Sequence, residues 1–359
     1  MAAGLQQSNT DLSITEIAAS HRGDSARGEV SSYWWQRVLR SIDAQIMSAS
    51  GQLAGHRGAL VVLMFHGLFR DDAEAFCGHV DPYQPFSVSD LAVLINQFQA
   101  SGFKFTAPSE LEEPQNGTEK RVLLTFDDGY ANNLRAIPIM KAYNVPATFF
   151  VATGNVASGE PFWWDVLYRE RSRRGTAKSQ MVAERQRLKS LNNREIKAHL
   201  RSLFGEDVFT SQSDADRPMS VAELQRIASE PLATIGNHTV DHELLPRIPL
   251  PDARRQIIEC QEMLQDWTGS APRVIAYPNG VHNTSIIKEA SDAGLVLGVT
   301  SIRGKLRLPL DDSQRMRLPR YAMIGGQTLP RHCKVVIAPF SMSGIKHAIL
   351  SRRQQSALP

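Results

Sequence analysis

The sequence predicts an α/β chain folded as a closed or nearly closed β/α barrel, with an open doubly wound sheet as the alternative. Three observations carry this. Seven apolar runs rich in β-branched and aromatic residues recur along the chain, mostly continuous rather than alternating, as in a parallel sheet covered on both faces. Helix-prone stretches separate them, and three of these stop on a glycine, the usual C-terminal cap. Histidines and aspartates gather at the carboxyl ends of the runs, where barrels and open sheets alike carry their sites.

Residues 1–30 are polar and contain no apolar core of signal-peptide length. In 31–50, Trp34, Trp35, Val38, Leu39, Ile42 and Ile46 recur at helical spacing and predict an amphipathic helix that packs on the domain or lies on a membrane surface. The expected strands are 59–66, 103–107, 121–128, 147–153, 232–238, 273–278 and 295–300. The expected helices are 89–102 ending at Gly102, 132–145 carrying Pro138, 251–269 ending at Gly269 and 283–294 ending at Gly294. The charged stretch 165–217 breaks this rhythm and predicts a helical insertion on one βα loop, with Asp165 starting its helix. The organisation that follows is an N-terminal extension, 1–57, a barrel, 58–325, and a C-terminal tail, 326–359.

Composition excludes several classes. The 359 residues carry a net charge of only +3 and no basic run, which argues against a nucleic-acid partner. Cys77, Cys260 and Cys333 are scattered and odd in number, so they form neither a disulfide framework nor a zinc knuckle. No run approaches the roughly 20 apolar residues of a membrane span. A cytoplasmic protein is expected.

Chemistry concentrates in three strand-end motifs. "LLTFDDGY" places Asp127 beside Asp128, an adjacency that is costly to bury without a cation. "NHTVDH" spaces His238 and His242 four apart, which on one helical turn puts both rings on one face, able to share a metal. "LMFHG" ends on His66, and "AYPNG" supplies a turn with Asn279. One aspartate and the two histidines would complete a facial metal set, leaving the other aspartate free to take a proton.

These residues resemble the polysaccharide deacetylases of the NodB homology group, carbohydrate esterase family 4, over roughly 58–325. The resemblance implies a deformed (β/α)7 barrel, here with a helical insertion and an N-terminal helical extension. It also implies removal of N-acetyl groups from GlcNAc-type sugars with a divalent metal, most often Zn²⁺. Matched position by position, Asp127 falls on the catalytic base, and Asp128, His238 and His242 on the metal ligands. The Asn279 backbone N–H falls on the oxyanion donor. Tyr130, Tyr277, Pro278, Trp163, Trp164 and Arg320 are assigned to the substrate-binding wall, with Trp163 and Trp164 offering flat faces to sugar rings or anchoring the insertion.

Two departures matter. Ala276 stands where many members carry an arginine bracing the catalytic aspartate, and Arg320 in "RLPRY" is the candidate replacement. The late histidine motif is absent, since His332 and His347 have other surroundings. His66 is similar to the strand-end histidine of the exopolysaccharide-type members and becomes the candidate general acid, with a structural or substrate-binding role as the alternative. The substrate expected is an N-acetylated oligo- or polysaccharide, chitooligosaccharide or lipid-linked sugar. The Trp34/Trp35 helix and the basic tail would suit work at the inner membrane face, while the oligomeric state is left open. Competing expectations are a deformylase or cyclic-amide hydrolase on the same barrel and a non-catalytic carbohydrate-binding relative.

Overall fold

The structure, a computed structural model, describes residues 58–338. The Trp34/Trp35 helix, His347 and the basic tail lie outside the described residues. Nine strands form one sheet: β1 (Ala59–Phe65), β2 (Phe103–Phe105), β3 (Lys120–Phe126), β4 (Ala147–Val151), β5 (Ala233–Asn237), β6 (Val274–Ala276), β7 (Leu297–Val299), β8 (Leu306–Arg307) and β9 (Tyr321–Ala322). The expected strands are all present, each ending short of its expected carboxyl end, with β3 starting one residue earlier and β5, β6 and β7 starting one or two residues later than expected. The order β7-β6-β5-β4-β3-β1 is parallel throughout, as the continuous apolar runs require. One edge of β3 is shared, with β2 on Lys120–Val122 and β4 on Leu124–Phe126.

Closure comes from two short strands with no recognisable period. β8 runs antiparallel to the start of β1, and β9 runs parallel to its end at Leu63 and Met64. Just before β9, Leu318 bridges to Val299 on β7, the Thr300 N–H donates to the Leu318 carbonyl at 2.9 Å, and the Met323 N–H donates to that of Met64 at 3.1 Å. Both edges of the curled sheet therefore meet the segment 318–323.

Strand alternation sorts the core into two compartments. Leu60, Val62, Leu123, Phe150, Val274 and Ala276 pack together inside the curl. Their strand neighbours Val61, Leu63, Phe65, Val122, Leu124 and Phe126 face outward into the helix layer. Continuing that parity past the strand ends puts His66 and Asp127 on the inner side. On β6 it leaves Ala276 inside and sends Tyr277 outward.

The outer layer includes α1 (Val88–Ala100), opened by a reciprocal Ser87/Asp90 capping box, and α2 (Ala136–Tyr143). The insertion contributes α3 (Trp163–Arg173), α4 (Lys178–Leu188) and α5 (Asn193–Phe204), which pack around Trp163, Val166, Leu188, Ile196 and Leu200. Further helices are α6 (Val221–Ala228), α7 (Leu250–Thr268) and α8 (Thr284–Asp292). The region expected as a tail from 326 instead supplies α9 (Leu329–Ile337), whose Leu329, Cys333 and Val336 share the core with Leu91 and Phe98 of α1. No helix of the described residues is long and apolar enough to cross a membrane.

Candidate active site

Asp128, His238 and His242 converge just beyond the carboxyl ends of β3 and β5, with one ligating atom from each lying within 4.8 Å of the others. Asp128 Oδ1 is 3.3 Å from His238 Nε2 and 3.5 Å from His242 Nε2. The route to this convergence differs from the expected one. Residues 238–242 form no helical turn; they are a loop in which Thr239 (φ 66°) and His242 (φ 55°) adopt left-handed backbone, and the two rings meet with centroids 4.7 Å apart. Asp128 is left-handed as well (φ 75°), which aims it away from its neighbour Asp127. Non-glycine residues in this region are strained, at about 1–3 kcal/mol each, and such strain collects at functional sites.

The donor set fits a cation. His238 Nδ1–H donates to the Ala276 carbonyl at 2.7 Å, so Nε2 presents a lone pair to the site, the usual support of a metal-bound imidazole. Burial opposes the charge on Asp128, but the neighbouring imidazoles, His238 foremost, outweigh it and hold its carboxyl far below the usual range. Burial and the adjacent His238 push His242 down to about 3, while His238, against the same burial, is raised by Asp128 and Asp127. Two imidazoles and one anionic carboxylate, nearly enclosed, suit zinc or a similar divalent ion.

Asp127 is held differently. Arg320 grips it with two bonds, Nη1 to Oδ1 and Nη2 to Oδ2, each 2.7 Å. Two further donors of the same guanidinium reach the Thr300 carbonyl at 2.7 Å and Thr125 Oγ1 at 3.0 Å. Burial penalises the Asp127 charge, and the Arg320 charge more than offsets it, leaving the pKa below the ordinary value. Arg320 is 2% exposed and four of its five N–H donors are taken by Asp127, Thr300 and Thr125, so it braces Asp127 at the edge of the cleft that it also lines. Ala276 faces inward on β6 and carries no donor, so the brace on Asp127 comes from residue 320 instead.

Other expected residues divide. His66 lines the cleft, its Nδ1 bonded to Gln84 Oε1 at 2.8 Å and its carbonyl held by Asn133 Nδ2 at 2.7 Å. Asn279 lies exposed at the rim with left-handed backbone (φ 52°). Tyr130 donates to Asp165 Oδ2 at 2.6 Å and accepts from Trp164 Nε1 at 3.0 Å. Trp164 stands 4.9 Å from the His242 ring, centroid to centroid, with one face stacked on Phe162. Trp163 touches the cleft but is mostly spent in the insertion's core.

Two assignments to the substrate wall are corrected. Tyr277 is fully buried among Leu245, Ile257 and Ile286 in the outer layer, where strand parity sends it, and Pro278 is buried beside it without lining the cleft. Asp165 does more than open a helix. It sits in the first turn of α3, takes the Tyr130 hydroxyl and the Asp81 N–H (2.9 Å), and is pushed by burial up to about 7.

The cleft above these residues holds about 650 Å³ and is walled on one side by α4 and its C-cap, including Lys178, Arg185 and the capping Lys189. Gln84 and this basic wall were missed in the sequence, because nothing local ties them to the motifs.

A sequence model of the polysaccharide deacetylase family matches residues 115–298, half of the chain. The chain belongs to the polysaccharide deacetylase family. That match contains Asp127, Asp128, His238, His242 and Asn279, but neither His66 nor Arg320. This polysaccharide deacetylase family member is 21% identical over 209 residues to YxkH of Bacillus subtilis (strain 168), whose name gives polysaccharide deacetylase as a provisional description. The alignment covers 57% of this chain and 54% of that one, so the chain spans about half the length of this curated relative. Among solved structures, the Streptococcus pyogenes deacetylase PplD in complex with acetate superimposes with a TM-score of 0.55 at 16% identity, over 78% of this chain and 99% of PplD. IcaB from Ammonifex degensii gives 0.51 at 20% identity, over 78% and 97%. The deformed (β/α)7 barrel is thus shared.

Proposed function

We propose that the protein is a metal-dependent deacetylase that hydrolyses the N-acetyl groups of GlcNAc-type oligo- or polysaccharides. The observation that carries this is the separation of two adjacent aspartates, Asp128 grouped with His238 and His242, and Asp127 locked on Arg320. Asp128, His238 and His242 would hold the ion. When bound, a divalent cation of the zinc type polarises the acetamide carbonyl and acidifies a water at neutral pH.

The chain's own residues do the rest. Asp127, kept anionic by Arg320, takes the proton of the attacking water, a role that commonly contributes 10²–10⁴-fold. The Asn279 backbone N–H donates to the tetrahedral oxyanion, a contact typically worth about 10²–10³ in rate. His66, oriented by Gln84 on Nδ1, exchanges its proton through Nε2 and delivers it to the departing sugar amine. Trp164 offers the sugar an apolar face beside His242.

The test is acetate release from N-acetylated glycans with and without a strong chelator. Release should vanish with the chelator and return with Zn²⁺. Chelator-insensitive release would remove the proposed mechanism, and formate or a ring-opened acid as product would change the substrate class.

A further inference from the structure

The insertion turns a face of α4 toward the cleft on which basic side chains alternate with Met181, Val182 and Gln186. Lys178, Arg185 and Lys189, the residue capping the end of α4, line the same cavity as Asp127, His238, His242 and Asn279. Arg185 pairs with Asp81 at 2.6 Å, and Lys178 acts on that same carboxylate. Lys189 has no such account. Its Nζ donates to Asn279 Oδ1 at 2.9 Å, a neutral amide, and it forms no ion pair among the described residues. The charges around it are Arg185 and Arg247, and Arg247 Nη1 donates to the Lys189 backbone carbonyl at 2.9 Å. Burial, together with these two like charges, holds the Lys189 ammonium below its usual range. A half-buried cation facing other cations is costly unless an anion arrives. A glutamine would tie α4 to Asn279 as well without that cost.

We propose that Lys189, beside the Asp81-paired Arg185, forms a subsite for an anionic group on the substrate, a phosphoryl or carboxylate on the sugar bearing the scissile acetamide or on its neighbour. This rests on the deacetylase reading of the adjoining site. Asn279 links the two, its side chain accepting from Lys189 and its turn standing beside the His238 support at Ala276. The anion is therefore held close to the reacting group, where orientation is worth most.

The experiment compares the full chain with Lys189→Gln, which keeps a donor for Asn279 but removes the charge, and Lys189→Arg, which keeps the charge. Acetate release is measured on a neutral GlcNAc oligosaccharide, its phosphorylated form and a uronate-containing form. The expected result is a kcat/KM preference of at least tenfold for a charged substrate, expressed in KM, which collapses toward one in Lys189→Gln and survives in Lys189→Arg. Whichever charged substrate is preferred identifies the source of the anion. No preference in the unaltered chain, or a preference that survives Lys189→Gln, overturns the proposal. Inorganic phosphate binding to the metal-stripped full chain, followed by calorimetry, separates the two layers. Affinity at least fivefold weaker in Lys189→Gln supports the subsite even if no glycan yields acetate, an outcome that would sink only the deacetylase reading. Equal affinities overturn the subsite.

Discussion

Asp127 and Asp128 share a strand end and nothing else. A left-handed backbone at 128 turns one carboxylate to two imidazoles and leaves the other, by strand parity, facing Arg320. Asp127→Asn should cut acetate release by at least about 10²-fold while metal analysis still finds one ion per chain; loss of the ion would mean that the two aspartates are interchanged. Arg320→Met leaves a buried carboxylate without its partner, and breaking such a pair costs about 3–5 kcal/mol, so thermal unfolding should fall by many degrees. Asp165 carries a pH dependence of its own. Its folded pKa, raised by burial to about 7, lies above the usual 3.8, so its contribution is full below about pH 4 and is lost as pH rises through about 7. Unfolding temperature should decline over that interval, by the equivalent of at most about 4 kcal/mol, and Asp165→Asn should flatten the decline. The motif residues were legible from composition and spacing. The Arg320 clasp was legible as a vacancy at Ala276 with Arg320 as the candidate to fill it, and the Asp165–Tyr130 bond not at all, since the partners lie 35 positions apart with no pattern linking them.

Strands and turns explain which expectations needed correction. Apolar runs located β1 to β7 because burial on both faces leaves a compositional trace, whereas β8 and β9, two residues each, are too short to leave one. The spacing of His238 and His242 predicted their meeting but suggested the wrong backbone, because a loop with two left-handed residues can bring i and i+4 together as a helix does. Tyr277 was misplaced because a motif match ignores parity, and on β6 the alternation that keeps Ala276 inside must send 277 out. The turn after β6 has little slack. Gly280 is left-handed (φ 72°), and a Cβ there would fall 2.2 Å from the Ser301 backbone nitrogen. Gly280→Ala should therefore displace Asn279 and lower kcat by about 10²–10³-fold if its N–H serves the oxyanion, with metal content unchanged.

Taken as one body, the molecule is a barrel whose inner side is greasy below and polar at the mouth, with the insertion as a wall. The barrel could be read from the sequence because repeated βα units constrain topology strongly. The wall's position could not, since a charged helical stretch shows neither where it docks nor which face it turns inward. Leu63, wholly buried in the outer core, gives the stability check, since Leu63→Ala should cost about 2–5 kcal/mol in chemical denaturation. The seam at 318–323 has a temporal consequence. During synthesis every proposed metal ligand leaves the ribosome before residue 320 does, so a nascent chain could assemble its ion pocket while Asp127 still lacks its counter-charge. Competence for hydrolysis would then trail ion binding, arriving only as β9 zips the two sheet margins together.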